Sequence, residues 1–532
     1  MTAVRLIMSG APVGQELAAE FGPLPPALLP VGVRRLYELQ AEVLGDAGPL
    51  HLVLPESYAL SDYDRGKLAG LGISVLPIPE GLSLGEAVVY ALNTIGAGDV
   101  AVHILHGDTL ILDAPLEAVD VFVGGERTNE YAWAEIEADA EGRICALHTT
   151  AAGDEGQAGR PIAAGYFAFS SGLDLLRALT RRRGDFIGGL NHYLAERPVT
   201  VVPTSDWLDF GHLQTFFQSK LAATTARAFN TVVIDGRTAR KSSADETKIW
   251  AEAHWLQETP PSVQIHCARL LSFGAEGDKV FYETEYEFLP SLAELFVFGA
   301  AGRPPWLRIM EACEAFLNAC AAHGGGGSGD AALAALTVDK TLPRLKQFGR
   351  ESGFPIDRAL RYDGAPCPSL MEIAERLAAA YGLDSGRADC VMHGDFCFSN
   401  ILYDSRVRRI KALDPRGLVA DRPTIFGDSR YDLAKLAHSI VGRYDQIIAG
   451  RCAVRASGDD FLVEFETVAA QSWLEGALGD LQIAGLGGLD ASVRATMISL
   501  FLSMPPLHAE RPDRQQAFVA NALRLWRELE AA

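Results

Sequence analysis

The chain has 532 residues, enough for more than one hydrophobic core, and 48% of them are apolar, the composition of a globular protein rather than a disordered one. A formal charge of −21 repels phosphate backbones and argues against a nucleic-acid partner. None of the eight cysteines forms a C-x-x-C pair, and no apolar run reaches the length of a signal-peptide core or a membrane span, so the expectation is a cytoplasmic protein without membrane insertion.

In chain order, Val4 to Met8 reads as a buried first strand, followed by a Gly10 to Gly14 loop and a helical stretch. Strand-like runs (Leu50 to Leu54, Ile73 to Ile78, Val100 to Leu105) alternate with helical ones (Leu36 to Leu44, Leu84 to Ile95), the pattern of a βαβ sheet domain. Val121 to Gly124 and Gly165 to Phe169 add strands, and Gly172 to Leu179 reads as a helix. His106-Gly107-Asp108 closes an apolar strand, and Trp207-Leu208-Asp209-Phe210-Gly211 opens a turn into a helix from Leu213 to Lys220. Asp108 and Asp209, at separate strand ends, can hold one Mg²⁺ against a nucleoside triphosphate. Taken singly, each fits a helix cap or a turn equally well.

Together these pieces, over residues 1–225, resemble the sugar-phosphate nucleotidylyltransferases. The matching stretches are the opening strand and loop, Pro25 to Gly32, Gly81 to Ala87, His106 to Asp108, Ala164 to Phe169 and Trp207 to Gly211. The resemblance implies a Rossmann-like nucleotidyltransferase sheet, with Gly10, Gly14 and Gly85 against the nucleotide and Asp108 and Asp209 as metal ligands. Two departures stand out. The family's glycine-rich loop ends in an Arg, yet Gly10 to Glu16 has none, and its Pro-Lys pair falls on Pro25-Pro26. Losing two cations removes charge stabilisation this chemistry depends on; Arg34 and Arg35 are the nearby candidates to replace them. Three readings stay open: an active nucleotidylyltransferase with relocated cations, a binding domain, or an enzyme for an unusual phosphorylated substrate.

Residues 226–532 begin differently. A bridge from Thr224 leads into a strand from Phe229 to Ile234, a tight turn at Asp235-Gly236, and then Arg240-Lys241-Ser242-Ser243. A helix starting at Ser243 or Asp245 carries Glu252. Val280 to Phe288 alternates apolar and acidic residues in the manner of an exposed edge strand, Pro290-Ser291-Leu292 starts a helix, and Gly324 to Gly329 reads as a mobile loop. The stretch Val391 to Gly417 is the most informative of the chain. His393-Gly394-Asp395 precedes Asn400, and Asp414 follows Asn400 by fourteen residues, with two apolar runs between them that read as a β-hairpin. Phosphoryl transfer uses this layout: a carboxylate at the acceptor hydroxyl, and an amide plus a second carboxylate holding Mg²⁺ on the phosphates. Protein kinases space H-R-D-x-x-x-x-N and D-F-G similarly; here Gly394 replaces the Arg, and Pro415-Arg416-Gly417 follows Asp414.

This variant resembles the aminoglycoside phosphotransferase and choline kinase group, small-molecule kinases with an α+β bilobal protein-kinase-like fold. The resemblance implies Asp395 as catalytic base, Asn400 and Asp414 as metal ligands, Lys241 locked by Glu252 on the ATP phosphates, and backbone near Tyr286 reading the adenine. Farther on, Asp432 is expected to cap the helix after Phe426-Gly427-Asp428 and to brace the catalytic loop, and Asp460 to Ala532 to be helical, with Phe461, Trp473 and Trp526 in the core. The whole chain then reads as a fusion: a kinase acting with ATP and Mg²⁺ on a sugar or amino alcohol, and a nucleotidylyltransferase that couples the phosphate to a nucleotide from a second nucleoside triphosphate. The alternative keeps only the kinase catalytic. An amide at position 395 is expected to abolish transfer with little loss of stability. A homo-oligomer is compatible with the sequence.

Overall fold

A computed structural model describes residues 3–46, 48–127, 131–151, 160–225, 232–243, 245–277, 279–468 and 471–531. The chain divides into two compact units, Met1–Arg227 and Ala228–Ala532. The expected bridge and the first residues of the expected strand, 226–231, lie outside the described residues.

The first unit is an α/β domain around a nine-stranded sheet. Val4–Met8 lies at its centre, parallel to Leu50–Pro55 on one side and to Val102–His106 on the other, with Ile73–Ile78 beyond Leu50–Pro55. The strands are nearly continuous apolar runs because both faces are covered. One face packs Leu6, Ile104, Phe122 and Phe167 against the helices Leu84–Thr94, Gly172–Arg181 and Phe186–Glu196. The other packs Ile7, Leu52 and Tyr166 against Leu36–Leu44 and Asp62–Gly70. Strand order reverses at Val4–Met8, and such a reversal opens a crevice at the carboxyl ends of the flanking strands. The loops after Met8 and after His106 meet there.

The second unit is bilobal. Its first lobe is a four-stranded antiparallel sheet in the order Val232–Ile234, Thr238–Ser243, Lys279–Glu285, Leu270–Glu276, backed by the helix Glu246–Glu258. The Lys279–Glu285 strand is interior, flanked on both sides, so the expectation of an exposed edge is corrected. Its polar alternation has another cause: one face meets the helix while the other meets water. The helix starts after Asp245, whose carboxylate caps Lys248 N–H, and the next lobe's first helix, Leu292–Val297, is capped by Ser291.

The second lobe is mainly helical, and two expectations for it are revised. Asp460–Phe465 is a strand, paired with Cys452–Ser457, and only later does the chain return to helix. The glycine-rich loop is anchored rather than loose: Asp389 Oδ1 accepts the N–H groups of Gly325 and Gly327 at 2.9 and 3.0 Å. Phe461 and Trp526 are buried as expected, and Trp473 is half-buried. Among the described residues no helix is long and apolar enough to cross a membrane.

Candidate functional site

In the second unit, a hairpin closes the sequence gap between Asn400 and Asp414. Ile401–Asp404 pairs with Arg409–Ala412 from Ile401 opposite Ala412, and one step beyond, Leu413 N–H donates to Asn400 O at 2.8 Å. Asp414 then turns at φ +53°, in the left-handed region that Asp tolerates better than most residues. Asn400 Nδ2 donates to Asp395 O at 3.0 Å and to Asp395 Oδ2 at 2.9 Å. Both partners only accept, so the nitrogen must face Asp395, which leaves the amide oxygen for a cation. Oxygen donors from one amide and one carboxylate, completed by phosphates and water, are the set Mg²⁺ takes in kinases, so these residues fit it.

Asp395 is held from the opposite side. Lys435 Nζ lies 2.7 Å from its Oδ1, reaching in from the helix Ser429–Ile440. Burial works against the carboxylate, but Lys435 and Arg416 outweigh it and hold its pKa well below the usual range. One turn before Lys435, Asp432 accepts the N–H groups of His393 and Gly394 at 2.8 and 2.7 Å, and burial pushes its pKa up to about 7. Asp432 therefore braces the loop as expected, but the helix cap is Asp428, which accepts Arg430 N–H.

The expected pair of Lys241 and Glu252 forms as well. Lys241 stands opposite Tyr282 in the sheet register, so both side chains face the helix that carries Glu252. Lys241 Nζ is 2.8 Å from Glu252 Oε2 and 3.1 Å from Asp414 Oδ1, and Tyr282 OH donates to the same two carboxylates at 3.0 and 3.1 Å. Behind Lys241 lies a largely apolar slot of about 190 Å³, lined by Ile234, Ala239, Leu256, Leu402 and the 285–287 segment that contains Tyr286. An adenine-sized ring suits such a slot.

Gly394 has a local reason. At φ +77° a Cβ there would fall 2.7 Å from Arg416 Cβ, so Arg416 occupies the room. Its guanidinium donates to Gly394 O at 3.1 Å. Gly417, at φ +62°, lets the same loop touch the Glu252 helix, where a Cβ would lie 2.2 Å from Ala251 O.

In the first unit, Gly107 N–H donates to Met8 O at 2.8 Å, joining the two loops at the strand-order reversal. Gln40 Nε2 donates to the carbonyls of His106, Gly107 and Thr109, fixing the turn that presents Asp108. Asp209 pairs opposite Thr109, and a Cβ on Gly211 would lie 2.6 Å from Asp108 Oδ2 and 3.2 Å from Asp209 Oδ1. The two expected carboxylates thus flank one glycine. Burial raises the Asp108 pKa, His106 opposes this and Asp209 adds to it. A divalent cation would relieve that repulsion, so the pair fits Mg²⁺. Among the described residues no group of three or more His, Cys, Asp or Glu could hold a metal, so phosphate oxygens and water would have to complete the shell.

Other candidates in this unit divide. Gly10 follows the central strand, and Gly14 caps the helix Gln15–Phe21 with open space at its Cβ position. Gly85 has a packing reason, since a Cβ would meet Gly184 O at 2.3 Å. Arg34 and Arg35, the candidates to replace the missing cations, are engaged elsewhere in this structure: Arg34 pairs with Glu38 and Glu42, and buried Arg35 with Asp64 at 3.2 Å.

Sequence reasoning missed Lys435, Arg416, Tyr282 and His212. His212 Nδ1 lies 3.0 Å from Asp209 Oδ2, and its ring stacks on Tyr131 at 3.8 Å. Burial lowers its pKa, but the bond to Asp209 more than reverses this. A signal existed for Lys435, which sits three residues after Asp432 on one helix face, and for His212, three after Asp209. Tyr282 and Arg416 had none, because strand register and loop packing decide them.

No protein-family model and no curated protein matches the sequence. Solved structures do. A UTP-bound UGPase from Acinetobacter baumannii is 13% identical, over 43% of this chain and 95% of its own, with a TM-score of 0.33. HddC from Yersinia pseudotuberculosis is 16% identical, over 42% and 100%, with a TM-score of 0.31. A thermostable mutant of aminoglycoside phosphotransferase APH(4)-Ia is 13% identical, over 56% and 89%, with a TM-score of 0.36. The chain is similar to the two kinds of fold over different parts of its length.

Proposed function

We propose that the second unit transfers the γ-phosphoryl group of ATP to a hydroxyl of a small metabolite. The observation that carries this is the convergence of Asp395, Asn400, Asp414, Lys241 and Glu252 on one cleft of about 640 Å³. The acceptor oxygen attacks the γ-phosphorus, the bond to the bridging oxygen breaks, and ADP leaves with that electron pair. Asp395 is ionised throughout the neutral range; it accepts a hydrogen bond from the hydroxyl, orients it, and takes its proton as charge leaves the oxygen. Lys241, fixed by Glu252, holds the triphosphate. Mg²⁺ held by Asn400 and Asp414 would neutralise phosphate charge. ADP release by the purified chain across a metabolite library tests the reading; no ATP consumption with any hydroxyl acceptor would sink it.

We propose further that the first unit couples the resulting phosphate to a nucleoside monophosphate, with loss of pyrophosphate, giving an activated precursor for a surface glycan or lipid in the cytoplasm. Asp108 and Asp209 flanking Gly211 at the sheet crevice support this, with His212 beside them. A second reading has its own support: the engaged Arg34 and Arg35 and the Pro at position 26 suit a module that binds without catalysis. Pyrophosphate release, assayed with each nucleoside triphosphate and candidate sugar phosphates, separates them.

A further inference from the structure

The cleft around Asp395 also reaches Lys340, Arg344 and Arg416. Lys340 and Arg344 stand one turn apart on the helix Val338–Ser352, a like-charge spacing that weakens a helix unless something opposes it. Arg416 comes from the loop after Asp414, and Lys435 from the Ser429–Ile440 helix. The four cations surround Tyr431, which is fully buried, and Arg416 donates to its hydroxyl at 3.3 Å. Burial raises the Tyr431 pKa, yet Arg416, Lys340 and Lys435 bring it down to about 8. Lys340 is also lowered to about 8: Tyr431 opposes this, while burial and the neighbouring cations cause it.

Among the described residues Lys340, Arg344 and Arg416 form no ion pair, although the charge of Arg416 acts on Asp395. Among the described residues only Lys435 forms an ion pair, with Asp395. Arg344 donates to Ser503 O at 3.4 Å and Arg416 to Gly394 O. The Lys340 side chain forms neither a hydrogen bond nor an ion pair among the described residues, although Asp339 and Asp421 also line the cleft. In a chain with a formal charge of −21, three such cations gathered beside the reacting carboxylate call for a negative ligand. The nucleotide phosphates already have Lys241 and the Asn400–Asp414 pair.

We propose that the phosphoryl acceptor carries, besides its hydroxyl, an anionic group (a carboxylate or a phosphate ester) that Lys340, Arg344 and Arg416 hold. The inference rests on the kinase reading and narrows its substrate class. A cationic acceptor such as an amino sugar or an amino alcohol would be repelled from this end of the cleft.

The test is ADP formation by the full chain with a library of hydroxyl metabolites in matched sets: a neutral sugar, its uronic acid, its phosphate ester and its amino form. An anionic member should exceed its neutral and cationic counterparts in kcat/KM by about ten- to hundred-fold, and the uronic-acid and phosphate arms identify which anion is read. Lys340→Met and Arg344→Met should each shrink that ratio about ten-fold or more, through KM for the anionic acceptor. Neutral or cationic acceptors matching every anionic one would overturn the inference and leave the kinase reading intact. So would variants in which both acceptor classes lose activity equally, the result expected from misfolding or from a role on ATP. No ADP from any acceptor would overturn both readings.

Discussion

Asp395 is the residue on which the proposed chemistry turns, and its contacts change one expectation. Asp395→Asn should lower kcat by about 10²- to 10⁴-fold, as loss of a general base does. Stability should fall too, because Lys435 would lose its ion-pair partner. The carboxylate is 34% exposed to the cleft and the Asn oxygen can still accept, so the loss is about 1–2 kcal/mol rather than the ~3–5 of a fully buried pair. The folded pKa lies below the unfolded one, so the pair's contribution is complete above about pH 4 and lost as pH falls through the folded value. Denaturant melts of the two proteins should therefore draw together progressively as pH falls below about 4. A gap that widens on acidification would contradict the pairing.

At the scale of elements, the loop after Asp414 is fitted to its neighbours by two glycines. Restoring the protein-kinase residue with Gly394→Arg should abolish activity rather than improve it, because a Cβ there collides with Arg416 at a left-handed backbone position. Gly417→Ala should push the loop from the Glu252 helix, costing about 1–3 kcal/mol and lowering both Tm and kcat. An alanine variant with wild-type kcat would show that this contact does not position Lys241 and Glu252. Tyr282→Phe tests the same junction more gently. It removes a hydroxyl that bridges Glu252 and Asp414 without changing ring packing, and should cost about 1 kcal/mol of stability.

Across the whole molecule, each unit carries its own cluster of carboxylates. Asp108→Ala should eliminate pyrophosphate release while ADP formation continues, measured in parallel on one preparation. Loss of both activities would contradict independent sites. Charge also matters at this scale: with Lys340, Arg344 and Arg416 lining the cleft of an acidic chain, the anionic-acceptor proposal expects higher ionic strength to raise KM for an anionic acceptor.

Much of this was legible in the residues alone. Apolar runs and their alternation located the sheet of the first unit, and the spacing from His393 to Asp414 gave the hairpin and the three side chains around it, because both are local, fixed by strand period and turn chemistry. Lys241 and Glu252 were legible through a strand followed by a helix, again a short-range pattern. Position in the sheet was not: Lys279–Glu285 looked like an edge but is interior, since pairing partners far apart in sequence decide that. Asp460–Phe465 pairs with Cys452–Ser457 across Gly458-Asp459, a local hairpin signal that the reading of this stretch as helix passed over, whereas the anchoring of Gly325 and Gly327 by Asp389 joins distant parts of the chain and could not be read locally. The cations around Tyr431 come from a helix that carries Lys340 and Arg344, and from a loop and a second helix more than seventy residues further along the chain. Only packing brings them to one cleft, so the proposal of an anionic acceptor rests on the tertiary structure.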